Sequence, residues 1–299
     1  MRVLITGASG FIASKLIKKI QKSQRHKVIV SSSTIKSERT LYWEAKMSPK
    51  TFAKYLIGFD IVIHLASYIP TNHKKKSEVK KCIDINSIGT LNLLEACKLA
   101  DVKKFVFISS ANIFSPNIKE KKISETSIID CNNSPYYLGS KVLAEIFVKS
   151  FHSKKLSTLI IRLSSIYGKN MKNGAIINIA KKLINKEKII LKDNGEHQAD
   201  FLYIDDCVLA IEKLSFSKAE GEFNIGSGSA INIFNLTNKI ANIHSIKDKK
   251  IFLLPSKNNN IKGFYPVDLT HLRSVMKFKP RNINDGLAQM FQNKKKNLK

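Results

Sequence analysis

Length, composition and charge exclude several classes of protein. With 299 residues, 43% of them hydrophobic and 25% charged, the chain is too apolar for a disordered protein and long enough to bury a substantial core. The net charge of +28 comes almost entirely from Lys, and because the Arg fork that reads bases is scarce, we attribute the charge to solvated lysines and expect no specific nucleic-acid partner.

The cysteines and the first residues bear on metal content and location. A strand-like run directly follows Met1 without a signal-peptide hydrophobic stretch, and no apolar run reaches the length of a membrane span. We therefore expect a cytoplasmic protein with no membrane insertion. The cysteines are widely spaced, with no His at metal-ligand spacing, which predicts reduced thiols and no metal site at Cys82, Cys97, Cys131 and Cys207.

The first predicted elements are a strand at Val3–Thr6 and a helix that begins near Phe11. The turn between them has the pattern Gly-x-x-Gly-x-x-Ala, in which the first Gly permits a tight turn and the second lets a pyrophosphate approach the backbone. The N–H groups and the positive dipole end of the helix favour phosphates. The pattern predicts a dinucleotide-binding turn, with cofactor contacts at Gly7, Ser9, Gly10, Phe11 and Ile12.

The end of the second predicted strand, Val28–Ser31, bears on which nicotinamide cofactor is bound. A carboxylate at this point bonds the adenosine ribose hydroxyls and repels an added phosphate. The chain instead continues with hydroxyl residues and the cations Lys36 and Arg39, so we expect Ser32 and Lys36 to contact a 2′-phosphate. We favour NADP, with NAD as the open alternative.

Further strands and helices alternate along the chain. Short β-branched runs separated by segments of helical period predict a parallel sheet with helices on both faces, an α/β fold of the doubly wound Rossmann type. The later strands are predicted at Thr40–Trp43, Ile61–Leu65, Phe105–Ser109 and Thr158–Leu163, and the helices at Asp84–Ala100 and Tyr136–Phe151.

Tyr137 and Lys141 stand four residues apart within one of these helices and hence share a face. A phenol with a pKa of about 10 is a poor base near neutrality, but a neighbouring ammonium group favours the phenolate and lowers that pKa. Tyr136 lacks such a partner, because Ser140 stands four residues beyond it. The spacing predicts that Tyr137 exchanges a proton and that Lys141 lowers its pKa.

The texture of the sequence changes after Gly168. Elements become shorter, and loops become richer in Asn, Lys and Gly. We predict a nucleotide-binding domain at residues 1–168 and a smaller C-terminal α/β substrate-binding domain at 169–299, with residues 200–228 packing back on the first sheet.

A set of motifs extends from the glycine turn to residue 228. Besides that turn, the motifs are His64–Ser67, Asn86–Ala96, Ile108–Ser115, Arg162–Gly168, Asp200–Asp206 and Phe223–Gly228. Together they resemble the extended short-chain dehydrogenase/reductase family, the NAD-dependent epimerase/dehydratase group, whose members modify nucleotide-linked sugars.

The resemblance implies roles for individual residues. It implies that Ser110 hydrogen-bonds the reacting sugar oxygen, that Tyr137 exchanges its proton, and that Lys141 holds the nicotinamide ribose. It places Glu44 at the adenine and treats His64 and Asn86 as mainly structural. The remaining cofactor contacts that it implies are Leu65, Ala66, Ser67 and Ser109, and the remaining substrate contacts are Ser165 and Phe201.

Two departures from the family pattern limit the substrate. Family dehydratases carry Asp-Glu shortly after the catalytic hydroxyl, whereas Ser110 is followed by Ala111 and Asn112, which disfavours a 4,6-dehydratase. Ala199 and Ser165 stand where the family usually has an Arg for the diphosphate and an Asn, and the later segment offers only Lys257 or Lys262 as a point charge.

These observations leave three functions open. We favour an NADP-dependent reductase of a 4-keto sugar nucleotide, of use in making a surface polysaccharide, over an NAD-dependent 4-epimerase. A non-catalytic protein that senses the cofactor and binds a polyanion through its lysines is the alternative of another class. The family also implies a homodimer.

Overall fold

The structure, a computed structural model, describes residues 1–32, 40–71, 76–115, 121–255 and 263–292. Its contacts divide these residues into two compact units. The first unit comprises the described residues of Met1–Phe114, Ile129–Leu163 and Val208–Asn224, and the second comprises those of Ser115–Ile128, Ser164–Cys207 and Ile225–Lys299. The single domain boundary after residue 168 stays a prediction.

A seven-stranded sheet forms the centre of the first unit, in the order β10-β6-β5-β4-β1-β2-β3. The pairs from β6 across to β3 are all parallel, as expected where helices connect successive strands. The strands are β1 (Arg2–Thr6), β2 (Lys27–Ser32), β3 (Thr40–Tyr42), β4 (Ile61–His64), β5 (Lys104–Ser110), β6 (Ser157–Leu163) and β10 (Gly221–Ile225).

Helices pack against this sheet, and most of them bury an apolar stripe. The core of the unit includes Leu4, Val62 and Phe105 from the strands, together with Leu93 and Val148 from the helices. The helices are α1 (Phe11–Ser23), α2 (Pro49–Leu56), α3 (Lys76–Cys82), α4 (Gly89–Leu99) and α5 (Pro135–Ser150). This architecture confirms the predicted Rossmann-type fold.

The helix predicted at Asp84–Ala100 begins earlier and is irregular. A π-helical segment, Ile83–Ile88, joins α3 to α4, and Thr90 Oγ1 donates a hydrogen bond to the Asn86 carbonyl oxygen at 2.6 Å. Such wide turns are frequent at functional sites because they turn a side chain away from its regular direction. Here the segment carries Asn86, which is 1% exposed.

The second unit is a small α/β assembly. Its three-stranded sheet has β9 in the centre, parallel to β7 and antiparallel to β11, and a separate parallel pair joins β8 and β12. Its strands are β7 (Ser165–Tyr167), β8 (Ile189–Leu191), β9 (Gln198–Tyr203), β11 (Ala230–Asn232) and β12 (Ile251–Leu253). The helices that remain are α6 (Ala175–Ile184), α7 (Ile204–Ser215), α8 (Ile233–Ile243), α9 (Thr270–Val275) and α10 (Ile283–Phe291), of which α7 runs on into the first unit. No helix among the described residues has the length and apolar character needed to cross a bilayer.

Candidate active site

The glycine turn between β1 and α1 is held in a compact form that a glycine permits. Gly7 has φ +71°, a conformation that side chains disfavour, and Gly10 N–H donates to the Gly7 carbonyl oxygen at 2.9 Å. Gly10 also precedes Phe11 as the cap of α1, and the first turn of α1 carries no acidic residue. The helix end therefore presents its N–H groups and positive dipole without a competing carboxylate.

A cavity of about 440 Å³ opens beside this turn, within the first unit. Five of the predicted cofactor residues line it, namely Gly7, Ser9, Glu44, Ala66 and Ser67. Residues that the sequence interpretation did not assign complete the wall, and these are Ser31, Trp43, Ala45, Lys46, Tyr68 and Ile85.

The other predicted cofactor residues lie nearby in the fold but outside the lining. Phe11 and Ile12 form the first turn of α1, and Leu65 directly follows β4. Ser109 lies in β5, and its hydroxyl is buried without a hydrogen-bond partner in the described part of the chain. Ser32 is the last residue of β2, while Lys36 and Arg39 fall outside the described residues.

Ser31 and Glu44 contribute a hydroxyl group and a carboxylate to the cavity wall. Ser31 is fully buried, and the described residues offer its hydroxyl no hydrogen-bond partner, which is costly unless a ligand supplies one. Glu44 is exposed, and its Oε2 accepts a hydrogen bond from the Tyr42 hydroxyl at 2.9 Å. Ser31 could have been found from the sequence, because it lies at the carboxyl end of β2, where ligands bind in folds of this type.

His64 ties the loop after β4 to the sheet and to α4. Because the Thr90 hydroxyl donates to Asn86, it accepts from His64 Nε2 at 3.0 Å, which leaves His64 Nδ1 to accept from Thr6 Oγ1 at 2.6 Å. Thr6 Oγ1 in turn accepts from the Ala66 N–H at 3.1 Å. Burial, with a smaller effect of Lys141, lowers the pKa of His64 to about 3, so the ring is neutral and this chain of bonds has one direction.

Asn86 joins the cavity loop to α5. Its Oδ1 accepts from the Ser67 hydroxyl at 3.1 Å and from the Tyr68 N–H at 2.7 Å. Its Nδ2 donates to the Tyr68 carbonyl oxygen at 2.9 Å and to Ser140 Oγ at 3.0 Å, and Ser140 Oγ donates to the Tyr137 carbonyl oxygen at 2.7 Å. All four bonds of one amide are thus used to hold Tyr137 and Ser67 in one framework.

Tyr137 and Lys141 occupy one face of α5, as the spacing predicts, but the expected electrostatic effect is absent. Burial raises the pKa of the Tyr137 phenol, and the nearby Ser67 hydroxyl lowers this pKa by a smaller amount. Lys141 Nζ instead donates to the Ile108 carbonyl oxygen at 2.9 Å and lies 4.7 Å from the centroid of the Phe107 ring. The prediction that Lys141 lowers the pKa of Tyr137 is therefore wrong for this structure, because Lys141 points to β5.

Ser110 ends β5 directly after this carbonyl. Its Oγ accepts a hydrogen bond from the Asn112 N–H at 3.2 Å and so caps a single 3₁₀ turn at Ala111–Ile113. The hydroxyl proton remains available for a further acceptor. Ala111 is buried, so the position where dehydratases carry an acid holds a small apolar side chain.

The two remaining substrate candidates lie in the second unit. Ser165 in β7 and Phe201 in β9 are register partners on adjacent strands. Between Ala199 and Phe201, the buried Asp200 accepts hydrogen bonds from Ser227 and from the N–H groups of Gly228 and Val267, so it stabilises loops. The substrate roles of Ser165 and Phe201 stay predictions, and so do the catalytic and cofactor roles assigned above.

Comparisons with known proteins identify the family to which this sequence is similar. The sequence profile of the NAD dependent epimerase/dehydratase family matches residues 3–226. The dTDP-D-glucose 4,6-dehydratase of Dictyostelium discoideum is 30% identical over 273 residues, with 81% of this chain and 62% of that protein covered. An uncharacterized UDP-glucose epimerase of Bacillus subtilis is 26% identical, with 83% of each chain covered. The chain thus spans less than two thirds of the length of the Dictyostelium protein.

Solved structures share the fold. The UDP-glucose 4-epimerase of Thermotoga maritima, solved with UDP-glucose, superposes with a TM-score of 0.82 at 23% identity, covering 98% of both chains. The UDP-glucuronic acid 4-epimerase of Bacillus cereus, solved with UDP-glucuronic acid and NAD, superposes with a TM-score of 0.84 at 23% identity and the same coverage. At this level of identity the likeness establishes the architecture alone.

Proposed function

Since this chain belongs to the NAD-dependent epimerase/dehydratase family, we propose that it is a nicotinamide-dependent oxidoreductase acting on a nucleotide-linked sugar. The observation that carries the proposal is the framework that Asn86 builds between Tyr137 and the cavity. Asn86 accepts from Ser67, which lines the cavity beside the glycine turn, and donates to Ser140, which in turn donates to the Tyr137 carbonyl oxygen. A proton donor therefore lies next to a pocket suited to a dinucleotide.

The residues around the cavity fit such a cofactor. Gly7 and Gly10 leave room for a pyrophosphate at the N-terminus of α1, and the orphaned Ser31 hydroxyl suits a ribose hydroxyl or its phosphate. When bound, a nicotinamide ring supplies or accepts a hydride at the sugar carbon. Tyr137 moves a proton at the oxygen of that carbon, Ser110 donates a hydrogen bond to the same oxygen, and Lys141 holds the nicotinamide ribose.

The end of β2 supports reduction as the direction of reaction. Its described residues carry no carboxylate that would exclude NADPH, the usual reductant. We therefore propose reduction of a 4-keto sugar nucleotide. A dehydratase is not proposed, because Ala111 and Asn112 supply no carboxylate after Ser110.

The finer choice of cofactor is NADP. The described end of β2 carries no carboxylate to repel a 2′-phosphate, and on the cavity wall the positive charge of Lys46 offsets the negative charge of Glu44. The similar epimerase of Bacillus cereus binds NAD, so NAD is the alternative. Affinities for NADPH and NADH, measured side by side, decide between them, and tighter NADH binding would defeat the NADP assignment.

A 4-epimerase is the second candidate function. Two solved structures with the same architecture are 4-epimerases of UDP-sugars, and the same Tyr and Lys can serve an oxidation followed by reduction on the opposite face. This candidate needs Tyr137 first to accept the proton of the sugar hydroxyl and then to return it.

One assay separates these functions. Purified protein is mixed with a panel of keto sugar nucleotides and NADPH, and separately with UDP-glucose, while nicotinamide absorbance and sugar identity are followed. Stoichiometric oxidation of NADPH supports the reductase, and interconversion of two sugars without net cofactor use supports the epimerase. Absence of both, together with strong salt-sensitive RNA binding, would refute the enzymatic proposal in favour of a cofactor-sensing binding protein.

A further inference from the structure

A buried ion pair lies one helical turn beyond Lys141. Glu145 in α5 and Arg162 in β6 are 2% exposed each, and Arg162 Nε donates to Glu145 Oε1 at 3.1 Å while Arg162 Nη2 donates to Oε2 at 2.7 Å. Arg162 also lies 5.2 Å from the Phe114 ring centroid, and its Nη2 is 3.8 Å from the half-exposed Glu222. Two charges have been removed from water here, which is expensive unless each is fully paired.

Glu145 shares a helix face with Lys141 but is paired with Arg162 instead. Lys141 and Glu145 are four residues apart on α5, so their side chains leave the helix on the same face. Glu145 nevertheless makes no ion pair with Lys141 within the described residues, because Arg162 takes its carboxylate. Lys141 Nζ remains directed at the Ile108 carbonyl oxygen and the Phe107 ring.

We propose that Glu145, held by Arg162, is a positioning residue that sets the direction and the charge of Lys141. Arg162 prevents the carboxylate from capturing the Lys141 ammonium group, and the residual negative charge of Glu145 keeps that group protonated in an apolar environment. The functional meaning of this device rests on the proposed role of Lys141 at the nicotinamide ribose.

The other groups around Lys141 leave Glu145 as the anion that acts on it. Burial lowers the pKa of Lys141 to about 8, and Glu145 raises it. From β4, His64 stays neutral because its pKa is about 3. Burial raises the pKa of the Tyr137 phenol, one helical turn before Lys141, so this phenol carries no charge near neutrality. The Arg162 cation of β6 is paired with Glu145.

A purely structural ion pair between α5 and β6 would have the same geometry as one that positions Lys141. A pH titration of Lys141 separates the structural role from the positioning role. The Lys141 side chain is followed by ¹³C NMR of labelled lysine, with its signal assigned from its loss in Lys141→Met. The second readout is cofactor affinity measured as a function of pH, in which the loss of affinity on the basic side reports deprotonation of Lys141. The NMR titration needs neither substrate nor turnover, so it stands even where the proposed reaction fails.

Four variants define the expected result. Glu145→Gln removes the anion and lowers the Lys141 titration midpoint by about one pH unit or more. Arg162→Lys keeps the charge but loses the fork, so the less compensated Glu145 raises the midpoint. Glu145→Gln combined with Arg162→Met removes both charges, avoids an unpaired buried ion and recovers at least half of the downward shift. Glu222→Gln, which removes the carboxylate on the exposed side of Arg162, is the matched control and leaves the midpoint in place.

Opposite shifts in the first two variants, with recovery in the double variant, establish the positioning role. An unchanged Lys141 midpoint in both single variants, with only the melting temperature lowered, would overturn it and leave a structural ion pair. If Glu145→Gln does not fold, the other two variants test the proposal. An upward shift of the Lys141 midpoint in Arg162→Lys supports the positioning role, and an unchanged midpoint in both Arg162→Lys and the double variant overturns it. Shifts without any hydride transfer would refute the proposed function but not the positioning of Lys141.

Discussion

Gly7 and Ala66 approach each other so closely that no side chain fits between them. A Cβ atom on Gly7 would lie 2.7 Å from the Ala66 backbone nitrogen and 2.8 Å from its Cα. The glycine turn after β1 is therefore packed directly against the loop after β4. Both segments line the cavity in the first unit, so this contact sets the shape of the proposed cofactor pocket.

Gly7→Ala is expected to damage both stability and cofactor binding. The Ala side chain must adopt φ +71° and displace the Ala66 backbone, and together these effects cost about 2–4 kcal/mol in free energy of unfolding. Gly221→Ala is the matched control, because Gly221 has φ +79° but nothing lies within 4 Å of its added Cβ. It should lose only about 1 kcal/mol, by urea unfolding, and bind NADPH normally. Equal losses in the two variants would contradict the steric argument.

Tyr137→Phe is expected to slow turnover by about 10²–10⁴-fold, since a phenyl ring cannot move the proton. Its affinity for NADPH should change little, because the hydroxyl is proposed to act at the sugar oxygen. Tyr136→Phe removes the same atom from the adjacent residue, which has no Lys one turn beyond it, and should keep its rate. Single-turnover kinetics and cofactor fluorescence measure both quantities. Normal turnover in Tyr137→Phe would remove this residue from the mechanism.

Ser31→Ala should weaken cofactor binding without destabilising the protein. The Ser31 hydroxyl is buried without a partner in the described residues, so its removal deletes an unsatisfied polar group and leaves the free energy of unfolding equal or higher. Loss of one hydrogen bond to the ribose or its phosphate should raise the dissociation constant about 5–10-fold. Ser215→Ala, which deletes an equally unpartnered hydroxyl in α7, should leave affinity unchanged. Equal affinities for both variants would argue against a ribose contact at Ser31.

Stability should fall as the pH drops below about 6.5. Burial holds the pKa of His64 at about 3 in the folded protein, against 6.5 for an ordinary His. Between these values the unfolded chain binds a proton that the folded protein does not, so the free energy of unfolding decreases as the pH falls, by at most about 1.4 kcal/mol per pH unit from this residue.

His64→Gln serves as the comparison for this pH dependence. It should be less stable at pH 7, because the hydrogen bonds to Thr6 and Thr90 are disturbed, but its stability should depend less on pH. Urea unfolding at pH 4.5 to 7 measures the two slopes. Identical slopes would mean that His64 does not carry the effect.

The types of the elements, the glycine turn and the Tyr137–Lys141 pair can be predicted from the chain alone, because each depends on residues close together in the sequence. Hydrophobic period distinguishes strands from helices, and the glycine turn needs only residues 7–13. The shared face of Tyr137 and Lys141 follows from 3.6 residues per turn. None of these depends on which distant segments come together.

The partners and proton affinities of the same residues depend on folding. Asn86 lies in a predicted helix, and the chain alone does not give its partner, yet it bonds Ser140, which is 54 residues away. The spacing predicts that Lys141 acts on Tyr137, yet Lys141 turns toward the carbonyl of Ile108, 33 residues earlier. Burial and hydrogen bonding set a pKa, and both arise only when strands far apart in the chain pack side by side. The sequence of one helix therefore determines the spacing of Tyr137 and Lys141, whereas the packing of that helix on the sheet determines their hydrogen bonds and their pKa values.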